Sequence, residues 1–119
     1  FWLGPLTLIV ARSSGLDDFF NVGIDSVGVR WPRHDFCEAV VRGLGGAIAT
    51  TSANLSGLKE VYNVADFVSM FGGAEVLPDL IVDGGQQNRN KPSTIVKVDC
   101  EGGLILVRQG ELDVSNFLF

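Results

Sequence analysis

The chain has 119 residues, 46% hydrophobic and 19% charged, a size and balance that suit one folded domain with its own core and exclude a disordered tract. Nine basic residues against 14 acidic ones give a net charge of -5, which excludes a surface that holds nucleic acid mainly through phosphate contacts and leaves only local or transient contact with RNA. No apolar run approaches the ~20 residues of a membrane span, and the first residues lack the charged-then-apolar order of a signal peptide.

The chain opens at Phe1-Trp2 with no initiator Met and reads as the inside of a fold from its first residues, so a longer parent is expected. Leu6-Thr7-Leu8-Ile9-Val10, introduced by Gly4-Pro5, is a β-rich apolar run and predicts a buried strand leaving a turn. Residues 11–25 read as a polar loop. Ser26-Val27-Gly28-Val29-Arg30-Trp31 alternates valines on one face with Ser26 and Gly28 on the other, and Pro32 ends it, so Arg30 falls near a strand's C-terminal end. From Asp35 the spacing changes to three and four: Phe36, Ala39, Val40 and Leu44 predict an amphipathic helix with Asp35 as N-cap and Gly45-Gly46 as its stop.

Ala47-Ile48-Ala49-Thr50-Thr51 predicts the next strand, followed by the small polar stretch Ser52 to Gly57. Asn63 is the expected cap of a second helix, with Asp66 in the capping-box position. Leu80 to Asp83 predicts another strand, cut off by Gly84-Gly85, and residues 86–92 a polar loop. Two strands, Thr94 to Val98 and Leu104 to Arg108, flank Glu101-Gly102-Gly103, a hairpin signal, and the tail from Asp113 adds a short helix. Strands alternating with two helices and closing on a hairpin give an α/β domain with an open, twisted, mixed sheet and flanking helices.

Few residue types here can do chemistry on their own. Cys37 and Cys100 lack metal-type spacing and sit inside apolar patterns, which predicts reduced, buried thiols in an intracellular protein. His34 is the one histidine, placed between a strand end and a helix start, and is expected as a surface or capping residue rather than a base. No metal-binding set and no catalytic triad can be assembled.

The informative stretch is Thr50-Thr51-Ser52-Ala53-Asn54-Leu55-Ser56-Gly57, a cluster of hydroxyl and amide side chains directly after a predicted strand, where ligands of open α/β sheets usually bind. Such groups and freed backbone N–H groups hold phosphate or carboxylate without carrying charge. A turn whose Ser and Asn cap the backbone accounts for the same composition. Arg30 and Arg108 each follow an apolar strand, and a guanidinium offers forked donors that suit carboxylate or phosphate, so the pair shifts the balance toward a shared anion site. Ser93-Thr94, after the polar Asn88 to Pro92 loop, adds a hydroxyl pair that a simple turn exit would also explain.

At these same residues the chain resembles the YrdC/Sua5 family. Phe1 to Thr7, Ser26 to Arg30, Thr50 to Gly57, and Ile81 to Gly85 continuing to Pro92-Ser93-Thr94-Ile95-Val96 carry the likeness in the family's order, and Arg108-Gln109-Gly110 is similar to its closing Arg-Pro-Gly. The resemblance implies one partial YrdC-like domain over residues 1–119, with the N-terminal part missing. It implies an L-threonylcarbamoyladenylate synthase, a nucleotidyltransferase that makes threonylcarbamoyl-AMP and pyrophosphate from L-threonine, bicarbonate and ATP for the threonylcarbamoyladenosine modification of tRNA.

By motif, Arg30, Thr50 and Ser93 would hold threonine, and Ser26, Ser52, Asn54 and Arg108 would contact ATP. Mg2+ would be held mainly by the triphosphate, with no protein metal ligand. Indirect partners would be tRNA and the downstream threonylcarbamoyl-transferase complex, in the cytoplasm or, with a leader, in mitochondria.

Three departures stand out. Leu3 replaces the first proline of the family's Pro-Gly-Pro turn, Lys59-Glu60 stands where Pro-Ser is frequent, and Gln109 replaces the proline of Arg-Pro-Gly. The family's Lys-x-Arg motif for the ATP phosphates is absent, so a parent with roughly 80 further residues upstream is expected, and the isolated chain is expected to be inactive. The rival readings are a non-catalytic nucleotide- or RNA-binding module on the same fold, and a carbamoyl-transfer domain of a hydrogenase-maturation protein.

Overall fold

In the computed structural model, residues 2–16 and 22–117 are described. They fall into two compact units, one built from residues up to Gly46 and from Lys91 onward, the other from Ala47–Asn90.

The first unit is a four-stranded mixed sheet. β1 (Leu6–Ala11), β2 (Ser26–Arg30), β3 (Thr94–Val98) and β4 (Leu104–Arg108) lie in the order β2-β1-β3-β4. β1 runs antiparallel to β2 and parallel to β3, and β3 and β4 form the expected antiparallel hairpin. The hairpin turn is built by Asp99, whose Oδ1 accepts from the backbone N–H of Glu101 (2.9 Å) and Gly103 (2.7 Å), while Gly102 takes the left-handed conformation at φ 86°. Cys100 lies in this turn and is exposed, and Cys37 is half-buried. The expectation of buried thiols fails because the apolar residues around Cys100 belong to the strands on either side of a turn that must face water.

Strand alternation divides the sheet into two faces. Leu6, Leu8, Val96 and Leu104 share one face, where Leu6, Val96 and Val114 form the buried core with Leu8, Leu104 and Leu112 packed against it. Thr94 belongs to this face and is wholly buried. Its hydroxyl donates to the Leu112 carbonyl at 2.6 Å and accepts from the Gly110 N–H at 3.0 Å, which ties the segment after β4 back over β3. Thr94→Val keeps the volume but strands the Gly110 N–H, so it is expected to lower stability by about 2 kcal/mol in a urea titration. A loss below about 0.5 kcal/mol would mean that water reaches these groups.

Helix α1 (Asp35–Leu44) forms where the spacing predicts it and ends at Gly45, φ 70°. Its N-cap is His34 rather than Asp35: His34 has the extended backbone of a cap, and its Nδ1 accepts from the Cys37 N–H at 3.5 Å. Asp35 starts the first turn, where a carboxylate still favours the helix dipole. Among the described residues α1 makes no extended packing contact with any strand, and Phe36 and Leu44 are exposed. A single 3-10 turn, Ser115–Phe117, stands for the short helix expected after Asp113.

The second unit holds helix α2 (Val64–Phe71). Its cap is the expected one, with Asn63 Oδ1 accepting from the Asp66 N–H at 2.7 Å and Asn63 Nδ2 donating to the Asp66 carboxylate at 2.9 Å. The predicted strands at 47–51 and 80–83 do not form, and both segments are exposed. Their apolar, β-branched composition supplies propensity, but a strand exists only within a hydrogen-bonded ladder, and no ladder partner lies among the described residues. No described helix is long and apolar enough to cross a membrane.

Candidate functional site

The face of the sheet opposite the core carries the polar groups. Ser26, Gly28 and Arg30 alternate with the valines of β2, and Arg30 pairs directly with Thr7 of β1. Thr7 Oγ1 in turn shares a 2.8 Å hydrogen bond with Ser93 Oγ across the β1–β3 ladder. Arg108 then grips the same serine, donating from Nε (3.2 Å) and Nη2 (2.8 Å) to the Ser93 carbonyl and from Nη2 to Ser93 Oγ (3.3 Å). Four strands thus deliver Arg30, Thr7, Ser93 and Arg108 to one end of one sheet face.

Arg108 reaches this face because of a register shift. Leu104 and Leu106 oppose Val98 and Val96, and simple alternation would carry Arg108 to the core face beside Thr94. The ladder instead slips between Ile95 and Val96, so Arg108 opposes Ile95 and turns with it to the polar face. Ser93 is 7% exposed, so the carbonyl and hydroxyl that Arg108 meets are largely shielded from water. This is a positioned network and not the simple turn exit that composition also allowed. Arg30, by contrast, is exposed and has no hydrogen-bond or ion-pair partner among the described residues.

In the second unit, Asn54 organises the Ser/Asn loop, its Nδ2 donating to the carbonyls of Leu55 (3.1 Å) and Leu58 (2.9 Å). Asn54 Oδ1 is buried and accepts no hydrogen bond from the described residues. A cleft of about 430 Å3 is lined by Ser52, Asn54, Leu58, Lys59, Glu60, Tyr62 and Arg89. Tyr62 donates to Glu60 Oε2 at 3.0 Å, and this bond, followed by burial and the carboxylate's charge, holds the phenol above its ordinary range.

The sequence-predicted residues therefore divide between the units. Arg30, Ser93 and Arg108 share one end of the sheet, while Ser26 opens β2 four residues from Arg30, roughly 13 Å along the strand on the same face. Thr50, Ser52 and Asn54 belong to the other unit, with Ser52 and Asn54 on its cleft. Thr7 is the residue that sequence reasoning passed over: it lies within the Gly4-Pro5-Leu6-Thr7 block, and its place opposite the core-facing Leu6 and Leu8 was the available signal. A larger hollow of about 720 Å3, lined by Ala11 to Ser14, Leu16 and Val22 to Asp25, contains none of the motif residues. Among the described residues no cluster of three or more His, Cys, Asp or Glu could hold a metal ion.

The family model for Sua5/YciO/YrdC, whose description reads telomere recombination, matches residues 1–110. The chain belongs to the Sua5/YciO/YrdC family. A threonylcarbamoyl-AMP synthase of Bos taurus is 33% identical over 109 residues, covering 90% of this chain and 40% of that protein. A putative threonylcarbamoyl-AMP synthase of Methanocaldococcus jannaschii is 35% identical over 119 residues, covering 98% of this chain and 52% of that protein. The crystal structure of Pyrococcus abyssi Sua5 complexed with L-threonine superposes with a TM-score of 0.79 at 30% identity, over 98% of this chain and 33% of that one. The chain thus spans about a third to a half of the length of the curated relatives it matches.

Within this family the departures at Leu3 and Gln109 acquire a structural meaning. Leu3 has φ 74°, a left-handed conformation that a proline at this position could not adopt. Gln109 does with its side chain what ring stiffness does in proline: its Nε2 donates to the carbonyls of Gly110 (3.2 Å) and Leu112 (2.9 Å), bracing the segment behind Arg108.

Proposed function

We propose that this chain is part of an L-threonylcarbamoyladenylate synthase, a nucleotidyltransferase that joins L-threonine, bicarbonate and ATP. The observation that carries the proposal is the Thr7–Ser93–Arg108 network, set at the same sheet end as Arg30 in a chain whose relatives are named threonylcarbamoyl-AMP synthases. The relative crystallised with L-threonine supports a threonine site in proteins of this fold.

In this reaction the amino group of threonine takes up carbon dioxide derived from bicarbonate. A carbamate oxygen then attacks the α-phosphorus of ATP, the bond to the bridging oxygen breaks, and pyrophosphate leaves. The carbamate is already nucleophilic, so the protein's work is to position reactants and offset phosphoryl charge, which needs no histidine base. Arg30, whose forked donors are unclaimed within the described residues, is assigned to the threonine carboxylate, and Ser93 to the same substrate. Arg108 and Ser26 are assigned to ATP. In the second unit the motif assigns Thr50 to threonine and Ser52 and Asn54 to ATP.

Mg2+ is assigned to the triphosphate, whose oxygens suit a hard cation, and there it would offset phosphate charge. The labile product would pass to the tRNA-modifying machinery, with any RNA contact local in view of the net charge of -5.

The test compares the 119-residue chain with its full-length parent for threonine-dependent formation of threonylcarbamoyl-AMP from ATP and bicarbonate. Product is expected from the parent and not from the shorter chain, because the resemblance implies a Lys-x-Arg motif for the ATP phosphates and this stretch contains none. Folded parent protein that makes no product, yet binds RNA with a steep salt dependence and ignores threonine, would replace the synthase with a binding module.

A further inference from the structure

The cleft of the second unit is shared by two motif residues, Ser52 and Asn54, and by side chains that no motif covers. Arg89 lies 27 positions beyond Tyr62, yet its guanidinium carbon sits 5.3 Å above the Tyr62 ring centroid. Two bonds anchor the preceding residues beside Tyr62: the Gln87 N–H donates to the Tyr62 carbonyl at 2.7 Å, and the Asn63 side chain donates from Nδ2 to Gln86 Oε1 at 3.0 Å. This cation–π contact holds the guanidinium over the ring and leaves its N–H groups without a hydrogen-bond acceptor among the described residues. Neither Arg89 nor Lys59 donates a hydrogen bond or joins an ion pair among the described residues.

Glu60 is the one group of the wrong sign for an anion, and its Oε2 is occupied by the Tyr62 hydroxyl. Two cations against one engaged carboxylate leave the lining with a positive excess, concentrated in a concavity that also presents a hydroxyl. Surface lysines and arginines are ordinarily solvated and wandering. Here one is held on an aromatic face, and both open onto the cleft of the Ser/Asn loop. Resting on the synthase reading, we propose that Lys59 and Arg89 form a phosphate-binding subsite for the polyphosphate of the nucleotide, with Tyr62 as its platform and as the group that restrains Glu60. Lys59, at a position that departs from the family pattern, is then a substitute phosphate contact, and its neighbour Glu60 is held back by Tyr62.

Calorimetric titration of the 119-residue chain with pyrophosphate, ATP and adenosine tests the subsite. Pyrophosphate and ATP are expected to bind and adenosine to bind at least 10-fold more weakly, with Arg89→Met and Lys59→Met each weakening pyrophosphate about 10-fold. Glu60→Gln is expected to tighten pyrophosphate binding. Should a variant fail to fold, the Arg89 Nε–H resonance of the unsubstituted chain still decides: it is expected to shift on addition of pyrophosphate, and a resonance that does not move overturns the proposal. ATP binding that Ser52→Ala weakens while Arg89→Met and Lys59→Met leave it within twofold overturns the subsite and spares the synthase reading. An unsubstituted chain that binds neither ATP nor pyrophosphate overturns the subsite, and product formation by the parent then decides the synthase reading separately.

Discussion

Gly110→Ala is expected to lower the unfolding free energy by about 3 kcal/mol. A Cβ at this position would meet backbone and not a yielding side chain: it would collide with the Pro92 carbonyl and come within 2.5 Å of the Ser93 carbonyl carbon and 2.6 Å of the Thr94 nitrogen. Separation would pull Gly110 away from the Thr94 hydroxyl and disturb the Glu111 N–H bond to the Pro92 carbonyl at 3.0 Å. Arg108 would then lose its hold on Ser93, so the substitution joins stability to the site. Urea denaturation of the variant checks it, and a loss below about 1 kcal/mol would show that the segment after β4 yields at little cost.

Arg30→Met in the full-length protein is expected to raise the KM for threonine about 10-fold with a smaller effect on the KM for ATP, because the substrate carboxylate loses its charge-assisted hydrogen bonds from the guanidinium. Arg30→Lys keeps the charge but not the forked geometry and is expected to fall between the two. Arg30 has no structural partner among the described residues, so its replacement is expected to leave stability nearly unchanged, which separates a binding role from a scaffolding one. A threonine KM that stays within twofold would remove Arg30 from the substrate site.

Much of the local structure was legible because its causes are local. The valines of β2 alternate against Ser26 and Gly28 as their spacing requires, the Asn63–Asp66 cap forms as its sequence signature predicts, and Gly45 and Gly102 supply left-handed turns. His34 was legible in kind, as a capping residue, although the cap was first placed one residue later at Asp35. The segments 47–51 and 80–83 were misread as strands for the opposite reason. Apolar β-branched composition is written in the chain, whereas the partner that turns it into a ladder is not.

The candidate site shows the same division. Its residue types, two arginines at strand ends and the Ser/Asn loop, were visible in the sequence together with the family they resemble. What only the tertiary structure decided is which groups meet. Thr7 and Ser93 are 86 residues apart and touch only because β1 and β3 pair in parallel. Arg108 stands by its sequence parity with the core residues Leu104 and Leu106, and reaches Ser93 only because the β3–β4 ladder slips by one residue at Ile95 and Val96. Alternation along a strand is a property of one backbone and can be counted in the sequence, but register is a relation between two strands, and a one-residue slip reverses the face of every side chain beyond it.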